Sequence, residues 1–97
     1  MKVHVSEEMR RRMDVLTPTH LVDAARALVF RLRYLHENFA TKGGDAEKAA
    51  RQHRRLCEAL MNIISALSAE EACREVAGEL RAGLHAAFDS AESLDLR

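Results

Sequence analysis

Aromatic residues are scarce in this chain, and so are the residues that form turns. There is no tryptophan, only 4% of the side chains are aromatic, and the 97 residues include one proline and four glycines. Strands are enriched in aromatic residues, and the turns that join them are rich in glycine and proline. This scarcity argues against a β-sandwich or a β-barrel. Good helix formers such as alanine, leucine, arginine and glutamate dominate instead, and we predict an all-α fold.

Three further absences narrow the class of protein. Cys57 and Cys73 are too few and too isolated for a disulfide scaffold, and the opening residues, MKVHVSEEMRRRM, lack the apolar core of a secretory signal. No apolar run approaches the roughly 20 residues that span a bilayer. The formal net charge is +0, without the basic excess of an autonomous nucleic-acid binder. We therefore expect a cytoplasmic protein with reduced thiols, no membrane insertion and no nucleic-acid partner.

The charge is balanced overall but unevenly placed. Residues 1–67 carry twelve lysines and arginines against eight acidic residues, whereas residues 68–97 carry three against seven. Opposite charges of this kind help to hold the last helix against the earlier ones. The contribution is small, because a surface salt bridge is worth only about 0 to 1 kcal/mol.

Apolar residues recur at steps of three and four along three stretches, which is the period of one helix face. The pattern predicts three long helices of about 20 to 23 residues each, preceded by a shorter amphipathic helix over residues 6–16 that carries Met9 and Met13. We predict an antiparallel helical bundle and a single domain over residues 1–97, with residues 1–5 and 90–97 frayed. The three stripes are Leu21, Ala25, Leu28, Leu32, Leu35 and Phe39; Ala49, His53, Leu56, Leu60, Ile63 and Leu67; and Cys73, Ala77, Leu80, Leu84, Ala87 and Ala91.

The only proline lies in the stretch VLTPTHLV, residues 15–22. Thr17 is a good N-cap, and Pro18 suits the first helical position, where its missing N–H costs nothing. Pro18 also keeps Thr17 out of the helical conformation, which separates the short first helix from the long one that follows. The stretch is therefore interpreted as a hinge and a cap without chemistry of its own.

Two interior breaks have similar chemical causes. Gly43 and Gly44 can adopt the left-handed conformation that ends a helix, and Asp45 can accept backbone N–H bonds that start the next one. Ser68 and Glu71 match the capping box, in which each side chain bonds to the backbone donor of the other. A tight hairpin is therefore expected at residues 66–69.

Metal and catalytic sites find little support in the sequence. His53 and Cys57 have the spacing of two metal ligands on one helix, but no further ligand motif completes a site, and a partly buried histidine is the better interpretation. No serine or cysteine is spaced with a base for nucleophilic catalysis. A helical enzyme that binds dicarboxylates would use arginines, but only the residue type of Arg26, Arg33 and Arg54 supports this interpretation. We expect no enzymatic activity, no cofactor and no metal.

A second apolar face distinguishes this chain from a simple bundle. At 100° per residue, Phe30 and Tyr34 project opposite the main stripe of their helix. Such a face suits a groove that receives an amphipathic partner helix. An alternative of nearly equal weight is that Phe30 and Tyr34 pack under the short first helix, and both hold if that helix is displaceable. The residues assigned to partner binding are Ala27, Phe30, Tyr34, Cys57, Met61, Ile64, Val76 and Phe88.

Several short segments together resemble the FliS-type flagellin-export chaperones over residues 13–88. They are the start Thr17-Pro18-Thr19-His20-Leu21-Val22, the turn Gly44-Asp45, the helix end Ala59-Leu60-Met61-Asn62-Ile63-Ile64-Ser65-Ala66-Leu67, and the acidic hairpin Ser68 to Glu71. The resemblance implies an antiparallel bundle in the cytoplasm that sequesters the aggregation-prone C-terminal segment of flagellin until export. A partner of this kind is disordered when free and orders on binding.

We therefore predict a non-enzymatic protein-binding bundle, with a flagellar or secretion export chaperone as the first hypothesis. The alternative is a homodimeric regulatory or adaptor module that uses the second apolar face for self-association. A metal-binding or ligand-binding helical enzyme is the third and weakest hypothesis.

Overall fold

A computed structural model describes residues 18–96 and contains three long helices. They are α1 (Pro18–Lys42), α2 (Ala46–Ser68) and α3 (Arg74–Ser93), and a short 3-10 helix (Glu71–Cys73) leads into α3. Each long helix packs against the other two. The all-α prediction is confirmed for the part of the chain described, in which α1 is helical from the first described residue, Pro18. The predicted short helix at 6–16 and the Thr17 cap lie outside the described residues.

The turn between α1 and α2 follows the predicted chemistry. Gly43 has a φ of 70° and donates its N–H to the carbonyl of Phe39 at 2.8 Å, which closes the last turn of α1. Gly44 also has a positive φ, of 115°. The carboxylate of Asp45 accepts hydrogen bonds from the backbone N–H groups of Glu47 and Lys48 at 3.0 and 3.2 Å. These bonds satisfy two of the N–H groups that a helix start leaves without partners.

The Asp45 cap gives a direct stability prediction. Replacing Asp45 by alanine removes both side-chain hydrogen bonds, and the free energy of unfolding should fall by about 1 kcal/mol in urea titrations followed by circular dichroism. Asp89→Ala is the matched control, since Asp89 is exposed in the interior of α3 and caps no helix. Equal losses in the two variants would show that the cap contributes nothing specific.

The second turn differs from its prediction. Ser68 does not cap the helix that follows it, because its hydroxyl donates back to the carbonyl of Ile64 at 2.7 Å within α2. Glu70, the N-cap residue of the 3-10 helix, makes no side-chain cap hydrogen bond, and Arg81 of α3 donates to the Ser68 hydroxyl at 3.2 Å. The predicted capping box is therefore wrong. Serine can bond to its own preceding turn as readily as to the next one, and here the first option prevails.

The segment predicted to fray, residues 90–97, contains the end of α3 at Ser93 and a hydrogen-bonded turn up to residue 96. Leu96 donates its N–H to Ala91 at 2.7 Å and Asp95 donates to Glu92 at 3.1 Å, with Asp95 at a φ of 58°. This is the bonding of a Schellman motif, with aspartate at the left-handed position that glycine usually fills. Leu96 is fully buried beside Ala91. The motif therefore covers the end of the core that lies beside the turn between α1 and α2.

The three predicted stripes face the core, but α2 is rotated slightly about its own axis relative to the prediction. All six predicted stripe residues of α3 are buried, whereas in α2 the side chains of Leu56 and Ile63 are half-buried and those of Cys57 and Ile64 are buried. Alanines and leucines make up most of the close-packed interior. The main buried cluster consists of Ala25, Leu32, Cys57, Leu60, Ile64, Leu67, Cys73, Ala77, Leu80, Leu84 and Ala87.

Candidate functional site

The residues predicted to bind a partner separate into three groups in the structure. Phe30 and Tyr34 are strongly exposed, at 69% and 64%, and Ala27 is exposed one turn before them. Met61 and Phe88 are exposed at 41% and 40% on other helices. The remaining three residues belong to the core: Cys57 and Ile64 are buried, and Val76 is half-buried against the main cluster.

Burial of Cys57 and Ile64 is a correction to the predicted open face. Both lie one position after a predicted stripe residue, and the rotation of α2 turns them toward α1 and α3. Phe88 does not join Phe30 and Tyr34 either, because its ring contacts His53 and His85 edge-on at 6.2 and 6.4 Å between centroids. Of the eight predicted residues, the structure therefore brings together the two α1 aromatics.

Phe30 and Tyr34 line an open groove between α1 and α2. The groove has a volume of about 580 Å³. Half-buried Leu35 and Leu56 add aliphatic side chains to its lining, and α1 and α2 form its two walls. A long apolar recess between two helices is the shape that receives a third, amphipathic helix. The full lining is Phe30, Arg31, Tyr34, Leu35, Asn38, Gln52, Arg55 and Leu56.

The polar part of this groove is basic, a feature that the sequence prediction missed. Arg31 lies on the α1 side and Arg55 on the α2 side. A neighbouring recess, lined by Lys48, Arg51, Gln52 and Arg55, continues the groove along α2. No carboxylate lines either recess among the described residues. The signal was present in the sequence, because positions 48, 51 and 55 repeat at helical spacing on the side of α2 away from its stripe.

A second polar group, a pair of histidines, is buried between α1 and α2. Nε2 of His36 lies 3.0 Å from Nδ1 of His53, so one imidazole donates a hydrogen bond to the other. Both side chains are at most 6% exposed. The Cys57 sulfur lies 3.6 Å from Nε2 of His53. Every buried side-chain nitrogen and oxygen in the described part of the chain has a hydrogen-bond partner, so this cluster is internally satisfied.

The electrostatics of the pair favour its neutral form. Burial lowers the pKa of His36, and a charge on His53 would lower it further. Burial also lowers the pKa of His53, with a smaller contribution from the nearby positive charge of Arg54. Both imidazoles are therefore uncharged near neutral pH, where a single hydrogen bond between them satisfies one donor and one acceptor.

Cys57 has the opposite of the properties that a catalytic thiol needs. Burial raises its pKa from 9.0 to about 11, so the thiol stays protonated near neutral pH. Reactive cysteines have depressed pKa values and open access, because the thiolate is the nucleophile. Cys57 and Cys73 are both free and buried. We interpret Cys57 as a core residue that packs beside His53.

The histidine cluster does not extend to a metal site. Among residues 18–96, no group of three or more histidine, cysteine, aspartate or glutamate side chains is placed to hold a metal ion. A structural zinc site requires four ligands, and a catalytic one requires three and a water. His53 and Cys57, the pair with ligand spacing, lie close together, but the ring of His36 is hydrogen-bonded to His53 and is not placed to share a metal ion with the pair.

None of the helices in the described residues is both long enough and apolar enough to cross a bilayer. No protein-family model, curated protein or solved structure matches this chain.

Proposed function

We propose that this chain is a non-enzymatic antiparallel helical bundle that binds a segment of another protein in the α1/α2 groove. The observation that carries the proposal is the exposure of Phe30 and Tyr34, one turn apart, over that groove. In the same proposal the chain acts in the cytoplasm, and the bound segment is disordered or amphipathic when free.

The use of aromatic residues supports a binding role. The chain has only three phenylalanines and one tyrosine, and three of these four side chains are exposed: Phe30, Tyr34 and Phe88. Each aromatic side chain buries about 150 to 250 Å² when it is covered. A chain of this size has few large apolar groups for its core, so leaving its aromatics outside gives up stability. Burial against a partner recovers that free energy, which is the pattern of a protein interface.

The groove favours a helical segment as the bound form of the partner. Its walls are two adjacent helices; Phe30, Tyr34 and Leu35 of α1 supply most of its apolar lining, and Leu56 of α2 completes it. An amphipathic helix placed in such a groove presents residues at i, i+3, i+4 and i+7 to it. A segment that folds on binding also loses conformational entropy, which keeps the complex reversible.

A flagellin-type export substrate is the specific cargo that we propose first. The basis is the resemblance of the TPTHLV start, the Gly-Asp turn and the helix end ALMNIISAL to the FliS-type chaperones. An export chaperone must cover an apolar segment and later release it, and both tasks suit a shallow groove that is open along one side.

Homodimerisation through the same face is the alternative. Phe30 and Tyr34 protrude from α1, and two copies related by a two-fold axis would cover each other's aromatic side chains. The molecular mass of the protein in solution distinguishes this alternative, because a homodimer has twice the mass of the chain when no second protein is present.

The first test is a thermal melt of the full chain with a synthetic peptide of the flagellin C-terminal segment. At a concentration of about 100 times the dissociation constant, binding should stabilise the protein by about 2.7 kcal/mol. For a domain of this size, that gain raises the melting temperature by roughly 10 °C or more. Phe30→Asp combined with Tyr34→Asp should melt close to the native protein without peptide and show no peptide-dependent rise.

Met61→Asp is the matched control, because Met61 is an exposed apolar residue that does not line the groove. This variant should keep the full peptide-dependent rise. Absence of any rise in the native chain at saturating peptide contradicts the flagellin-type cargo. A melting temperature that increases with protein concentration, and that loses this dependence in the Phe30/Tyr34 variant, supports the homodimer instead.

A further inference from the structure

We propose that the α1/α2 groove is specific for an acidic amphipathic helix of a separate protein, an inference that rests on the proposed binding function. The groove combines an apolar aromatic surface with a basic border. The matching ligand has an apolar stripe that covers Phe30 and Tyr34 and carboxylates on both sides of that stripe.

The border consists of four cationic side chains. Arg31 lies on the α1 wall, and Lys48, Arg51 and Arg55 follow the α2 wall. No described carboxylate lines the groove or its continuation. Within residues 18–96, the side chains of these four residues form no hydrogen bond and no ion pair. Their charges are therefore available to a ligand.

The spacing of the α2 cations fits a helical ligand. Lys48 and Arg55 are seven positions apart with Arg51 between them, a distance of roughly 10 Å along the helix at 1.5 Å per residue. A helix lying along the groove carries carboxylates at the same interval if they recur at every third or fourth position. Arg31 on the opposite wall reaches the other side of such a helix. Arginine also accepts a carboxylate with two parallel hydrogen bonds, which adds direction to the attraction.

No segment of this chain matches the groove as well as an acidic amphipathic helix of another protein would. Residues 1–17 carry four basic side chains (one Lys, three Arg) against three acidic ones, so a basic border does not attract them. α3 is the acidic part of the chain, but its apolar stripe is already buried in its own molecule. A second copy would therefore present α3 carboxylates without an apolar stripe between them. The complementary partner is a separate protein.

The test uses two designed helical peptides of about 18 residues, or five turns. Both carry the same leucine stripe at i, i+3, i+4 and i+7. One has glutamate at the flanking positions and the other has lysine. Fluorescence anisotropy of the labelled peptides with the full chain measures both dissociation constants at low and high salt. We expect the glutamate peptide to bind at least about tenfold more tightly, and this preference to shrink as salt screens the charges.

Reversing charges on the protein itself is the decisive part of this binding test. Arg31→Glu combined with Arg55→Glu should abolish the preference, because the border then carries two positive and two negative charges and the two peptides bind about equally well. Arg33→Glu combined with Arg74→Glu is the matched control, since these exposed arginines do not line the groove. The control should keep the native preference. Phe30→Asp combined with Tyr34→Asp should abolish binding of both peptides.

Each other outcome overturns the inference in a recognisable way. Equal affinity for the two peptides, with both lost in the Phe30/Tyr34 variant, leaves the binding groove intact and removes its charge specificity. Binding that survives the Phe30/Tyr34 variant places the peptide elsewhere and contradicts the proposed function as well. Failure of both peptides to bind, with a dimer detected by sedimentation equilibrium that Phe30/Tyr34 replacement dissociates, identifies a second copy as the occupant.

Discussion

Replacing Leu60 by alanine is expected to lower the free energy of unfolding by about 3 kcal/mol, within the range measured for buried leucines. Leu60 is 0% exposed and belongs to the main cluster at the centre of α2. The substitution removes apolar contacts within the main cluster and leaves a cavity that close-packed neighbours fill only in part. Since small domains have only about 5 to 15 kcal/mol of stability in total, this loss is large.

The neighbouring residue provides the control for this effect. Met61 is adjacent in sequence but 41% exposed, so Met61→Ala should cost about 1 kcal/mol or less. Urea titrations monitored by circular dichroism measure both variants at the same pH. Helix propensity does not separate them, because leucine and methionine have similar values. Similar losses at the two positions would contradict the packing of α2 against α1 and α3.

The second large effect is a loss of stability in mild acid caused by the histidine pair. Burial lowers the pKa values of His36 and His53 below the ordinary value of 6.5 that they regain on unfolding. Below pH 6.5 the unfolded chain therefore binds protons that the folded chain does not, and the free energy of unfolding falls as the pH decreases. The fall continues down to the lowered pKa values and is absent above about pH 7. Its slope is up to about 1.4 kcal/mol per pH unit for each histidine.

Urea midpoints measured from about pH 7.5 to pH 5 test this prediction, since most carboxylates stay ionised over that range. The double variant His36→Leu with His53→Leu removes both titrating groups and should flatten the pH dependence, whatever its absolute stability. Single replacements should be more destabilising near neutral pH than the double one, because each leaves a buried imidazole without its partner. An unchanged slope in the double variant would show that other groups cause the acid sensitivity.

Local sequence chemistry predicted the helices well. The three stripes, the Gly43-Gly44 turn and the Asp45 cap depend on residues within a few positions of one another. Period, capping and left-handed glycines are local properties, so they can be recognised without knowing what packs against what. The second turn failed because Ser68 has two local choices of equal chemistry. The Schellman end of α3 was missed because aspartate stands where glycine is expected.

The candidate site was only half predictable for a different reason. Phe30 and Tyr34 stand opposite the stripe on one helix, so the pattern of that helix alone assigned them to a second face. Cys57 and Ile64 were misplaced because a rotation of α2 by a fraction of a turn exchanges buried and exposed positions beside the stripe. That rotation is set by the shapes of side chains on α1 and α3, which no local pattern contains.

By itself, then, the sequence determined an all-helical chain, the places where its helices break, and one helix with aromatic side chains on its outer side. Only the tertiary structure decided that His36 meets His53 in the interior, since the register of α1 against α2 places two residues 17 positions apart within 3.0 Å. Only it decided that Arg31 and Arg55 face the same groove as Phe30 and Tyr34. The physical reason is that a groove belongs to two helices at once, and packing alone fixes which of their faces meet.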